Sequence, residues 1–205
     1  MRLLNDDSKV VLNTIKSRRS IREFIDRPIE QEHLQSILHA GTQAPSAGNR
    51  QPWRFFVVQK ETVRLDIAHV MDEALRNGLL ETNHELSPYE RSSVHYSARA
   101  IEQAPILVLV YHFSPTIAAR EGAYATSDMQ SIGACMQNMA LAAHSLGISS
   151  VWLCDVTYAE RRINALVGVD GYALAAALAL GYKNPSVDYY IAPRRSLSKT
   201  ILGSV

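Results

Sequence analysis

The sequence predicts a layered α/β or α+β domain built around one central sheet, and three observations predict it. Segments with a helical repeat of apolar residues alternate along the chain with short runs rich in β-branched and aromatic residues. Hydrophobic residues make up 47% of the 205, enough to bury a core inside one domain. No internal repeat or low-complexity tract breaks this order, so residues 1–205 read as a single domain.

Asp7 or Ser8 is the expected cap of a first helix, whose apolar positions include Val11 and Ile15 and which ends near Ser17. A second helix is expected from Glu30 to Ala40, where Leu34, Ile37 and Leu38 recur at helical spacing, with Gly41 as its left-handed cap. Trp53–Gln59 reads as a strand. Glu61–Asn77 is amphipathic and stops at Asn77-Gly78. The polar segment 81–103 is open to two readings, a partial helix or a mobile excursion over an active site. Ile106–Tyr111 is a continuous apolar run of the kind found in buried strands. Ser127–Ser145 is the longest predicted helix, with Ile132, Met136, Met139 and Ala143 on one face and Gly147 as the stop. Ser149–Leu153 reads as a short strand and Ala159–Val167 as a helix. By propensity alone, the Ala- and Leu-rich stretch Tyr172–Gly181 favours helix. The tail, 189–205, is too polar to form a core of its own.

Composition excludes several functions. A formal charge of +1 gives no general attraction to nucleic acid or an anionic membrane. The two cysteines, Cys135 and Cys154, form neither a disulfide framework nor a zinc motif, which suits a reducing cytoplasm. The N-terminus lacks the apolar stretch of a signal peptide, and the later apolar runs are too short to span a bilayer. GxG, GxxxxGK[ST] and HExxH are absent, and the scattered histidines suggest no metal site.

Three constellations carry chemistry. Arg18, Arg19, Ser20 and Arg22 follow the first helix directly, and in an extended segment Arg18, Ser20 and Arg22 face one side. Guanidinium forks and a hydroxyl suit a phosphate, although such a cluster also occurs as a solvated basic patch. The second is the loop of Pro45, Ser46, Ala47, Asn49 and Gln51 before Trp53, whose two amides match the donors and acceptors of a flavin's pyrimidine edge, or else satisfy backbone. The third is Arg194 and Arg195, which either join the first cluster in the fold or belong to a charged tail.

RRSIREF at 18–24, a P-x-E-x-x-x-L helix ending in Ala40-Gly41, and APSAGNRQPWRFFVV at 44–58 together resemble the nitroreductase family. DMQSIGACMQNMALAAHSLGISSVWL, ALAAALALGYKNPS and PRRSL follow in the same order, so the resemblance runs from about Ile15 to Ile201. It implies an α+β three-layer fold, with a mixed or antiparallel sheet between helices and Tyr172–Gly181 as a strand. It further implies a homodimer that exchanges its C-terminal tail as an edge strand and holds FMN in clefts at the subunit interface. By position, Arg18, Arg19, Ser20, Arg22, Arg194 and Arg195 are expected on the phosphate, ribitol and pyrimidine end. Pro45, Ser46, Ala47 and Asn49 come from the other subunit with Gln51 in support, and Trp152 and Leu153 lie along the ring near N5. Cys154-Asp155 departs from the Glu-Gly of well-known members.

The reaction implied is ping-pong. NADH or NADPH passes a hydride to flavin N5, and a nitroaromatic, quinone or similar small-molecule acceptor then takes it, with no obligatory side-chain acid or base. A backbone N–H near Leu153 is expected to donate to N5 and Arg22 to lie near the N1–O2 edge. The alternatives are a same-fold enzyme of flavin fragmentation, dehalogenation or oxidase-like chemistry, a non-enzymatic FMN module, and, without the resemblance, a nucleic-acid site on the arginines.

Overall fold

The computed structural model describes residues 5–82, 84–114 and 123–203. Residues 1–4, residue 83 of segment 81–103 and the last two residues of the 189–205 tail lie outside the described residues.

In chain order the elements are α1 (Asp6–Ser17), β1 (Phe24–Ile25), α2 (Gln31–Thr42), β2 (Trp53–Val58), α3 (Glu61–Arg76), α4 (Pro88–Gln103), β3 (Ile106–His112), α5 (Ala123–Ser145), β4 (Ser149–Leu153), α6 (Glu160–Val167) and β5 (Ala173–Lys183). Short 3₁₀ turns occur at Ala47–Asn49, Asp155–Ala159 and Leu197–Lys199.

All strand pairings are antiparallel, and β5 is the axis of the sheet. One of its edges pairs β3, which in turn pairs β2. The other is shared end to end by β4, from Ser149↔Gly181 to Leu153↔Ala177, and β1, at Ile25↔Tyr182. Alternation along the strands divides the core in two. Leu107, Leu109, Tyr111, Ala177 and Ala179 face α3, α4 and α6, while Val108, Val110, Leu178 and Leu180 face α2 and α5. A helical layer on each face makes three layers, as the resemblance implied.

This arrangement explains why β5 defies its propensity. From Ala173 to Gly181 every residue is buried, with helices on both faces and strands on both edges. Small side chains let both layers approach, and sheet pairing satisfies the backbone there, so tertiary context overrides a preference of a few tenths of a kcal/mol per residue.

Two local expectations are corrected, and between the two readings of segment 81–103 the partial helix is found. The cap of α1 is Asn5, whose Oδ1 accepts from the Ser8 N–H at 2.8 Å; Asp7 and Ser8 lie inside the helix. Gly41 is not a left-handed cap but sits buried within α2, where a Cβ would lie 2.7 Å from Met139 Cγ and 3.0 Å from Cys135 Sγ. It is small because α5 crosses there. In segment 81–103, Pro88–Gln103 is a helix that buries Val94, Ala98 and Ile101; Ser87 and Glu90 close its capping box, and Pro88 opens its first turn.

α1 buries none of its residues: Val10, Val11, Leu12 and Ile15 are all more than half exposed. The tail is likewise exposed from Tyr190 to Gly203 and forms no strand in the described residues. No described helix is long and apolar enough to cross a membrane.

Candidate functional site

α1 ends where Arg18 turns to φ −56, ψ 137, while its N–H still closes the last helical bond on Thr14. The chain then runs beside β4: Ser20 bridges Ser150, and the Ile21 N–H donates to the Ser150 carbonyl at 3.0 Å. A cavity of about 200 Å³ opens here, lined by Arg18, Arg19, Ser17, His144, Ser149 and Lys183 among others. No carboxylate lines it, and among the described residues Arg18 has no acidic partner. Burial, and then the positive charges of Arg194 and Arg19, hold the Arg18 guanidinium below its ordinary value. Burial, with Arg18 and Arg19, also lowers His144, whose Nε2 lies 2.8 Å from Ser17 Oγ. The cavity is thus an unbalanced positive field with hydroxyls at its wall, and that chemistry suits an oxyanion.

The sequence candidates are not equivalent within it. Arg19 bends back to donate from Nη1 to the carbonyls of Lys16 and Arg18 at 2.6 and 2.7 Å, so part of its fork is committed to the end of α1. Tyr189 holds the start of the tail, its hydroxyl 2.7 Å from the Asn184 carbonyl and 3.2 Å from that of Glu23, and Arg194 further along comes near Arg18. Arg195 is exposed on the same tail. Lys183 and His144 were not foreseen; they lie on the last residue of β5 and near the end of α5, and no sequence spacing ties them to Arg18.

A second cavity, of about 370 Å³, lies at the far end of β4 and is lined by Arg22, Tyr89, Tyr96, Trp152, Leu153 and Asp155 together with serines of α4. Strand alternation separates Trp152 from Leu153: Trp152 is 39% exposed, and the Leu153 side chain packs into the core at 2%. Asp155 is turned toward α4, where Ser93 Oγ and Ser97 Oγ both donate to its Oδ2 at 2.8 and 2.6 Å.

The third group is the loop before β2. Ser46 Oγ accepts from the Gln51 N–H at 3.0 Å, and Gln51 Nε2 donates to Asn49 Oδ1 at 3.2 Å. Gly48, Asn49 and Gln51 have φ of 58, 54 and 47°. Glycine and asparagine tolerate this left-handed region, but for a residue such as glutamine it costs about 1–2 kcal/mol. Pro45 is exposed, and the Ala47 N–H donates to Ser131 Oγ of α5 at 3.3 Å. Between the strained residues, Arg50 turns inward to α5, donating from Nε to Asp128 Oδ1 at 3.1 Å and from Nη2 to Ser127 Oγ at 3.3 Å. Asp128 is fully buried, and its Oδ2 meets His112 Nε2 at 3.1 Å. Burial alone would raise this carboxyl, but the hydrogen bonds from Arg50 and His112 outweigh it and hold it below the usual range. Sequence reading singled out neither Arg50, Asp128 nor His112, since residues so far apart in the chain carry no signal of pairing.

The loop anchors and the arginine cavity stand near opposite ends of α5. From Ser131 to His144 the helix advances about 20 Å at 1.5 Å per residue. One chain therefore does not bring its own Asn49 and Gln51 to its own Arg18.

Comparison with known proteins agrees with the layered fold. A protein of Archaeoglobus fulgidus, provisionally named NADH dehydrogenase/NAD(P)H nitroreductase, is 32% identical over 188 residues, 90% of this chain and 91% of its own. The iodotyrosine deiodinase of Haliscomenobacter hydrossis is 27% identical over 138 residues, 64% of this chain and 60% of its own. Among solved structures, a nitroreductase of Bacteroides fragilis with bound FMN has a TM-score of 0.74 at 26% identity, over 98% of this chain and 100% of that one. The description of the nitroreductase family matches residues 15–182, most of the length of β1 to β5 with α1's end, and the chain belongs to the nitroreductase family of oxidoreductases.

Proposed function

We propose that the protein is an FMN-dependent oxidoreductase of a homodimer, reduced by NADH or NADPH and reoxidised by a nitroaromatic, quinone or similar small acceptor. The observation that carries this reading is the arginine cavity. Arg18, Arg19 and Lys183 line it without a carboxylate, and Arg194 adds a further charge, so the donor set fits the phosphate of FMN. The FMN-bound relative from Bacteroides fragilis shares the fold over this region.

When bound, FMN supplies the redox chemistry, a hydride accepted at N5 and handed on in a second, separate half-reaction. The chain's own residues bind and orient. Arg18 and Arg194 would neutralise the phosphate, with the hydroxyls of Ser17 and Ser149 at the cavity wall. Arg22 would place positive charge at the second cavity, next to the aromatic rings of Trp152, Tyr89 and Tyr96. Asn49 and Gln51 of the partner offer amides to the pyrimidine edge, with Pro45, Ser46 and Ala47 alongside. The roughly 20 Å between loop and cavity along α5 supports this division between subunits, as do the uncovered apolar side of α1 and the exposed tail residues Tyr190, Ile191, Leu197 and Leu202. The part of the tail beyond Arg195 would then cross to the partner and add a strand.

The experiment is a visible absorption spectrum of the purified protein, followed by anaerobic NADH and then NADPH. Flavin bands that bleach on addition support both the cofactor and the first half-reaction. A colourless protein that takes up no added FMN sinks the reading. A second reading, reductive dehalogenation of an aromatic substrate, is favoured by the similarity to the Haliscomenobacter iodotyrosine deiodinase. Halide release without turnover of quinones or nitro compounds would select it.

A further inference from the structure

Asp128 and His112 do not line either cavity, yet they are the most deeply buried ionisable pair near the loop that carries Asn49 and Gln51. Each is fixed from a different element. His112 ends β3, paired with Trp53 of β2 and Ala173 of β5. Its Nδ1 lies 3.1 Å from the Ser114 nitrogen and 3.3 Å from the Ser114 carbonyl oxygen, and its Nε2 lies 3.1 Å from Asp128 Oδ2. Asp128 lies in the N-terminal part of α5, and its other oxygen receives the Arg50 fork through Nε and Nη2. A planar guanidinium gripped in this way fixes the direction of the side chain as well as its position.

The consequence falls on the backbone of the loop. Gly48 and Asn49 precede Arg50, and Gln51 follows it, all in the left-handed region. A loop in that conformation relaxes unless something over-determines it. A second tie to α5 is the neutral Ala47 N–H bond to Ser131, at 3.3 Å; the charged tie runs from Arg50 to the fully buried carboxylate of Asp128. A loop already ordered before its ligand arrives spares the ligand the cost of ordering it.

We propose that Asp128 is a positioning residue for this loop, acting through Arg50 to hold residues 46–51 in the path that presents Asn49 and Gln51 to the flavin edge. This rests on the flavin reading above.

The test uses the full-length protein freed of flavin and titrated separately with FMN and with riboflavin, which lacks the phosphate. Asp128→Asn weakens both ligands by the same factor, about ten- to hundredfold, the scale of a charged hydrogen bond. Arg18→Ala weakens FMN and leaves riboflavin alone. Amide exchange in flavin-free Asp128→Asn rises at 46–51 and not along β3 or β5. Arg50→Gln, whose side chain is partly exposed, is read in the same way and decides the matter if Asp128→Asn does not fold. Unchanged affinity for both flavins in the folded variant, or a loss confined to FMN, overturns the proposal while leaving the flavin reading intact. A wild-type protein that binds neither flavin overturns both.

Discussion

Arg194 stands close enough to Arg18 for its charge, after burial, to lower the Arg18 guanidinium below its ordinary value. Two like charges beside one cavity repel each other, and an anion lying between them turns that repulsion into attraction. Arg194→Ala is expected to weaken FMN binding by about 1.5–3 kcal/mol while leaving riboflavin affinity unchanged. Flavin fluorescence titration at two salt concentrations checks this, and the variant should show the shallower salt dependence.

The buried Asp128 makes a pH prediction with a definite sign. Its folded pKa lies below the usual carboxylate value because the hydrogen bonds from Arg50 and His112 outweigh burial. Its contribution is therefore present in full above the unfolded value of about 3.9 and is lost as pH falls through the folded one. Asp128→Asn is expected to be less stable than wild type by about 3 kcal/mol at pH 7, since it removes one charge of a buried pair. Urea unfolding followed from pH 7 downward should show a constant gap between the two proteins to about pH 4, narrowing only below that.

Gly181 sits in β5 where the sheet meets Phe24 and Pro105. A Cβ there would lie 2.7 Å from Phe24 Cδ1 and 2.7 Å from Pro105 Cδ, and both are atoms of rings that cannot bend away. Gly181→Ala should cost about 1–3 kcal/mol through overpacking. Thermal unfolding reads the loss, and an unchanged midpoint would mean that β1 slides aside freely.

The bare face of α1 predicts an assembly. Val11 and Ile15 are 57% and 51% exposed on a helix that covers no core of its own chain. If they meet a second copy, Val11→Glu with Ile15→Glu converts a dimer to a monomer by light scattering and removes bound flavin, because the loop of 45–51 then comes from nowhere. A dimer that persists with its flavin would place the interface elsewhere.

Much of the architecture was legible because it is written in short-range patterns. The face of α5 marked by Ile132, Met136, Met139 and Ala143 is buried as its spacing implies, and the limits of β4 fall on Ser149 and Leu153. Gly41 misled because glycine has two uses. Its place at the end of a helical repeat signals a cap, whereas its lack of a Cβ is what α2 needs where Met139 crosses. β5 was legible only through the resemblance, since alanine and leucine carry no periodic mark of a strand buried on every side.

Neighbours along the chain suffice to mark the periodic helices and strands, the family, and the residue types able to grip a phosphate or meet a flavin edge. Folding in three dimensions is what joins Arg18 with Lys183 and His144 at one cavity, turns Trp152 outward and Leu153 inward, and brings Arg50 and His112 to the same carboxylate of Asp128. Those relationships depend on the meeting of β3, β4 and α5, and a charge or hydrogen bond formed across such distances in sequence leaves no local pattern to read.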